Sequence, residues 1–181
     1  MKKINYLKYG LTALMMAFAM TLCYSCSSEI SGHAYVELAG LKWATENVGA
    51  VKGVEAVVTD PTYGCYYTQS NAKKAAESWG GTWTLPTKAE WQALIKNCDW
   101  TQTTQDNKEC YKVSDKKDSS KFIILPADGI YYEGDSIVRL QGRRGYYWST
   151  DNGRGLYFLD GPQRVDYFNK NNGMVVRPVT K

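Results

Sequence analysis

Turn residues cut the last third of this 181-residue chain into short segments, and that punctuation limits the fold more than any other feature. Asp151-Asn152-Gly153, Asp160-Gly161-Pro162 and Asn171-Asn172-Gly173 follow one another at close intervals. Asn-Gly is the strongest short hairpin signal, because tight turns of this kind need positive φ at their centre. The segments between them are Gly145 to Thr150, Leu156 to Leu159, Arg164 to Phe168 and Met174 to Val179. They are too short for helices and read as the strands of an antiparallel meander. Upstream, Tyr35 to Leu38 and Leu41 to Thr45 form an opening hairpin about Ala39-Gly40. Thr101 to Thr104 and Tyr111 to Val113 flank the polar stretch Gln105 to Glu109, and Phe122 to Leu125 is an apolar strand ending at Pro126. Ser114 to Lys121 reads as a solvated loop, and Tyr131 to Arg144 as a longer insertion.

Two helices interrupt this pattern. Ala72, Ala75, Ala76 and Trp79 fall at i, i+3, i+4 and i+7, and Gly80-Gly81 supplies a stop. Trp91, Leu94, Ile95 and Cys98 repeat the stripe after Thr87 and Glu90, which are spaced as a capping box. Two helices followed by a meander predict an α+β domain.

The N-terminus sets the compartment. Lys2, Lys3 and Lys8 precede twelve apolar residues, Leu11 to Leu22. That run is too short to span a bilayer and reads as a signal-peptide core. Ser25-Cys26 then resembles the relaxed lipobox of bacterial lipoproteins, with Cys23 and Tyr24 departing from its strict form. The expected organisation is a signal peptide over 1–25, a lipidated tether over 26–34 and one domain over 35–181. Cys26 is the expected lipidation site, membrane lipid the first partner, and an outer-membrane-anchored exported protein the localisation, with the face of the membrane open. Past residue 25 there are 19 basic against 18 acidic residues, so no strong field draws the domain to nucleic acid. A monomer is expected.

The single histidine, His33, removes His-based triads and multi-histidine zinc sites, and reads as an exposed tether residue. Of Cys65, Cys98 and Cys110, the last two make the more plausible disulfide, although Cys98 also fits the buried face of a helix. The spacings contain no metal-binding pair. Among carboxylates, Glu133 with Asp135 and Asp115 with Asp118 lie in polar loops and read as solvated rather than as a glycosidase pair. No catalytic residue, metal or cofactor is therefore expected.

Several stretches taken together carry a family resemblance: Leu41-Lys42-Trp43-Ala44-Thr45-Glu46-Asn47-Val48-Gly49, Tyr63-Gly64 with Tyr66-Tyr67, Trp83-Thr84-Leu85-Pro86-Thr87-Lys88-Ala89-Glu90-Trp91, Gly145-Tyr146-Tyr147-Trp148-Ser149-Thr150, and Gly173 with Val176-Arg177-Pro178-Val179. In this order they resemble the Fibrobacter succinogenes major paralogous domain family of exported bacterial proteins. The resemblance covers about Tyr35 to Val179. It implies a C-type lectin-like fold: two helices, a twisted antiparallel sheet and long loops over one end. It also implies ligand binding as a class. Sugar-binding members of that superfamily chelate calcium through a Trp-Asn-Asp triplet. Trp148-Ser149-Thr150 departs from it, which argues against calcium.

The resemblance places ligands on the loops beside the late strands. Tyr132, Arg143, Arg144, Asp151, Asn152, Arg154, Asp166 and Tyr167 are accordingly expected to form one binding patch. The function expected is a non-catalytic, lipid-anchored envelope binding or adhesion module for a glycan or protein. Its alternatives are a passive structural or fimbria-associated subunit and, behind that, a carbohydrate-active enzyme. Arg177 is expected to make a structural contact at the last strand.

Overall fold

The computed structural model describes residues 28–158 and 161–181. The described residues open with β1 (Ser28–Ile30), β2 (His33–Leu38) and β3 (Leu41–Ala44), each antiparallel to the next. The β2–β3 turn is tight because Ala39 and Gly40 both take positive φ, 53° and 81°. A short pair, β4 (Val58–Asp60) and β5 (Gly64–Tyr66), leads into helix α1 (Gln69–Glu77). Helix α2 (Lys88–Asn97) runs directly into β6 (Cys98–Gln105), which pairs with β7 (Lys108–Asp115), and β7 pairs with β8 (Phe122–Pro126). Asp106 and Asn107, at φ 51° and 61°, make the β6–β7 turn. The last sheet joins β9 (Gly145–Trp148), β10 (Arg154–Phe158) and β11 (Arg164–Tyr167) in the order β11-β10-β9. Finally β12 (Val179–Thr180) returns to pair with β3, closing a four-stranded sheet β1-β2-β3-β12.

The expected α+β architecture, a C-type lectin-like fold of two helices followed by a twisted sheet, is corrected. The protein is mostly β, with twelve strands in four small antiparallel sheets and two short helices among the described residues. Five strands precede α1, and the helices span only nine and ten residues. Their buried stripes are correspondingly small, Ala72, Ala75 and Ala76 on α1 and Trp91 and Leu94 on α2. Stripes of that size pack onto sheets rather than forming a helical layer of their own.

Locally the helix signals are read correctly. Thr87 Oγ1 accepts from Glu90 N at 3.1 Å and Glu90 Oε2 accepts from Thr87 N at 2.7 Å, the reciprocal capping box. Thr68 caps α1. That helix stops at Ser78, so Trp79 lies just beyond it.

The β9–β11 sheet is the centre of the molecule. Side chains alternate across a strand, and along β9 and most of β10 both faces are buried. Tyr147, Leu156 and Phe158 enter one core cluster with Trp43, Trp91 and Val113. Tyr146, Trp148 and Tyr157 enter a second with Ala72, Ala75, Leu85 and Met174. Gly145 lies opposite Phe158 in the ladder, and a Cβ there would sit 2.0 Å from the Phe158 ring, so only glycine fits. Buried indoles find acceptors, as buried polar groups must. Trp91 donates to Trp148 O at 3.2 Å, Trp148 to Tyr67 O at 2.6 Å, and Trp43 to Leu38 O at 3.1 Å.

Three further expectations are corrected. The tether over 26–34 is, from Ser28 on, part of the domain: β1 pairs with β2, and Trp83 Nε1 donates to Ile30 O at 3.0 Å. His33 is not a free tether residue. Its ring stacks on Trp79 with centroids 3.6 Å apart, and its Nδ1 lies 3.6 Å from Glu46. The Cys98–Cys110 disulfide does not form, and Cys65, Cys98 and Cys110 are buried free thiols. Cys98 sits at the base of the β6–β7 hairpin opposite Asp115, while Cys110 faces Thr103 further up. Five residues of strand, about 17 Å, separate those levels, and a disulfide spans less than about 7 Å between Cα atoms. Burial raises both thiols, Cys98 to about 11.

Met174 to Val179, expected as a closing strand, is instead a buried connector. It bridges to Tyr67 and Tyr147 before β12 begins.

Candidate functional site

Gln69, the first residue of α1, organises a cleft among the described residues. Its Nε2 donates to Ser149 O at 3.0 Å and Asp151 O at 2.7 Å, and its Oε1 accepts from Gly153 N at 2.9 Å. Its backbone N donates to Lys170 O at 3.0 Å. One residue thus ties the helix to the β9–β10 turn and to the segment after β11. Between these three walls lies a cleft of about 450 Å³. Leu85 and Ser149, both buried, form its floor. Ser70 and Lys73 of α1, Thr150 and Asn152 of the turn, and Lys170 and Asn171 supply an exposed rim.

The walls are held from behind. Asp151 Oδ2 accepts from Lys88 N at 2.5 Å, and Thr150 N donates to Pro86 O at 2.9 Å, fastening the β9–β10 turn to the start of α2. Glu133 accepts from the side-chain amides of Asn169 at 3.0 Å and Asn171 at 2.8 Å, fixing the other turn. Chemically the rim offers hydroxyls, amides and ammonium groups. These bind oxygen-rich ligands, and neither a carboxylate nor an imidazole is among the lining residues described.

The eight residues expected in one patch are distributed over four places. Asn152 is on the cleft rim, while Asp151 is behind it as a helix-capping acceptor. Arg144 and Asp166 belong to the Tyr146–Tyr157 face of the last sheet. The Arg144 guanidinium lies 5.9 Å from the Tyr157 ring. Arg164 lies 4.6 Å from the Tyr157 ring and donates to Asp166 at 3.2 Å. Arg154 and Tyr167 pair on the opposite face, 5.6 Å apart. Tyr132 and Arg143 are exposed on the 131–144 insertion. Residues adjacent in a strand point to opposite sides, so Asp166 and Tyr167 cannot share one face. Cys26 lies outside the described residues.

Sequence reasoning missed Gln69, Ser70, Lys73 and Lys170 because they read as ordinary helix and turn residues. It also missed Asp128. This residue is buried, accepts from Asn47 Nδ2 at 2.8 Å, and has its carboxyl pushed up to about 7 by burial, against the opposing pull of Arg177. Arg177 makes the expected structural contacts, donating to Asn47 Oδ1 at 2.9 Å, Ala44 O at 3.0 Å and Ile124 O at 2.8 Å. Tyr66 OH donates to Asp128 O, which completes a polar network between the sheets.

The carboxylates weighed for glycosidase chemistry are otherwise occupied. Asp135 pairs with Arg139 at 2.9 Å, Glu133 takes its two amides, and Asp115 and Asp118 cap turn backbone. No group of three or more His, Cys, Asp or Glu suited to a metal occurs among the described residues. None of their helices is long and apolar enough to cross a membrane. Comparison of the chain with family models, curated proteins and solved structures gave no match.

Proposed function

We propose that the protein is a non-catalytic, lipid-anchored binding module of the bacterial cell envelope that takes a glycan in the cleft organised by Gln69. The observation that carries this is the cleft itself. Its volume of about 450 Å³ lies in the usual range for small-ligand sites, and its rim is built of hydroxyls and amides that both donate and accept. Sugar hydroxyls need such two-way partners. The walls are preorganised by hydrogen bonds, which lowers the ordering cost of binding. The basic start, the twelve-residue apolar run and Ser25-Cys26 support export and anchoring at the outer membrane.

A glycan array probed with the full chain tests the reading. The expected result is a defined set of glycan ligands, with affinity reduced about tenfold or more by Asn152→Ala combined with Asn171→Ala. Both side chains are exposed, so the denaturation midpoint should hardly move. A silent array, or ligands whose binding ignores both changes, contradicts the proposal.

A further inference from the structure

The charges around the cleft go further than its hydroxyls and amides. Lys73 and Lys170 are the ionisable groups that line it, and both are cations. They stand on different walls, one on α1 and one on the segment after β11. Lys73 lies 3.7 Å from Glu77 in an exposed i,i+4 pair, which holds a lysine weakly. The Lys170 ammonium has no hydrogen bond or ion pair among the described residues, although its backbone is fixed by Gln69. Carboxylates close to the cleft face other duties. Asp151 accepts from the backbone at the start of α2, and Glu133 is engaged by the amides of Asn169 and Asn171. Two cations therefore face the cleft with one weak local partner between them.

We infer that the ligand is an acidic glycan, with a sugar carboxylate drawn between Lys73 and Lys170 while Asn152, Asn171, Ser70 and Thr150 meet its hydroxyls. This rests on the glycan reading above and adds the charge class. A lysine ammonium recognises an anion as a point charge, without the planar fork that arginine offers. Affinity should therefore depend on salt and tolerate variation in how the carboxylate is placed.

The test uses the full chain and a panel of uronic- and sialic-acid oligosaccharides, each paired with its carboxyl methyl ester. The ester keeps the sugar and removes the charge. The expected result is that at least one acid binds about tenfold or more tighter than its ester at low salt, and that added salt narrows the gap. Lys73→Gln with Lys170→Gln should lower the acid's affinity to that of the ester, with the denaturation midpoint unchanged. Equal binding of acid and ester, lost on changing Asn152 and Asn171, overturns the acidic class and leaves the glycan cleft standing. A preference for the acid that survives the double lysine change overturns the placement of the carboxylate. If the acidic panel is silent while neutral glycans bind, the inference fails alone. If neutral glycans are silent too, it fails together with the reading beneath it.

Discussion

Trp91→Ala should cost roughly 3–5 kcal/mol in unfolding free energy, the range for deleting a buried aromatic. Trp91 has no exposed surface and lies between Trp43, at 4.7 Å between ring centroids, and Tyr147, at 5.9 Å. Truncation removes these contacts and opens a cavity under the central sheet. It also orphans Trp148 O, which takes the indole N–H at 3.2 Å. Thr87→Ala, which deletes only the cap of the same helix, provides a reference at about 1 kcal/mol. Chemical denaturation of both variants checks the ranking. Equal shifts would mean that α2 does not pack as described.

Asp128→Asn should change how stability depends on pH between about pH 4 and pH 8. The Asp128 carboxyl rises on folding from 3.8 to about 7, chiefly because burial penalises its charge. Between about pH 4 and pH 7 the folded protein therefore holds a proton that the unfolded chain has lost, and stability falls as pH rises through that window. Lowered carboxyls such as Asp60 and Asp166 act in the opposite sense at more acid pH, and they are common to both proteins. Asparagine keeps an oxygen for Asn47 and cannot ionise. The stability of the variant relative to wild type should thus improve by on the order of 3 kcal/mol between pH 4 and pH 8. Denaturation curves across that range check it, and a constant difference between the two proteins would show that Asp128 titrates normally.

What the sequence made legible was local. The capping box of α2 works through atoms three residues apart, and both helices lie where their apolar stripes repeat. The turn clusters at Asp151 and Asn171 separate chain segments as expected. The partners of those segments were harder to read. Ser28 to Ile30 is small and polar enough to pass for a tether, and becomes a strand because β2 and Trp83 accept it. Most stretches behind the family resemblance are core: Trp43, Trp83, Leu85, Trp91 and Trp148 are all buried. They report packing, so they carried little information about a ligand surface.

The expected patch failed for a related reason. It was placed by resemblance on the loops beside the late strands, and alternation along β11 puts Asp166 and Tyr167 on opposite faces. The cleft depends on Gln69 reaching carbonyls some 80 residues away in the chain. No local pattern encodes such a reach. Asp128 was hidden in the same way, by partners at Asn47 and Arg177 on distant segments.

The central claim is that ligand enters between α1, the β9–β10 turn and the segment after β11. Side-chain amide NMR spectra recorded on adding the leading array glycan test it most directly. The account predicts that the amide signals of Asn152 and Asn171 shift first, with Gln69 behind them and the Arg154 and Arg143 guanidinium signals unmoved. Shifts gathered at Arg143, Arg144 and Arg154, with Asn152 and Asn171 silent, would contradict it.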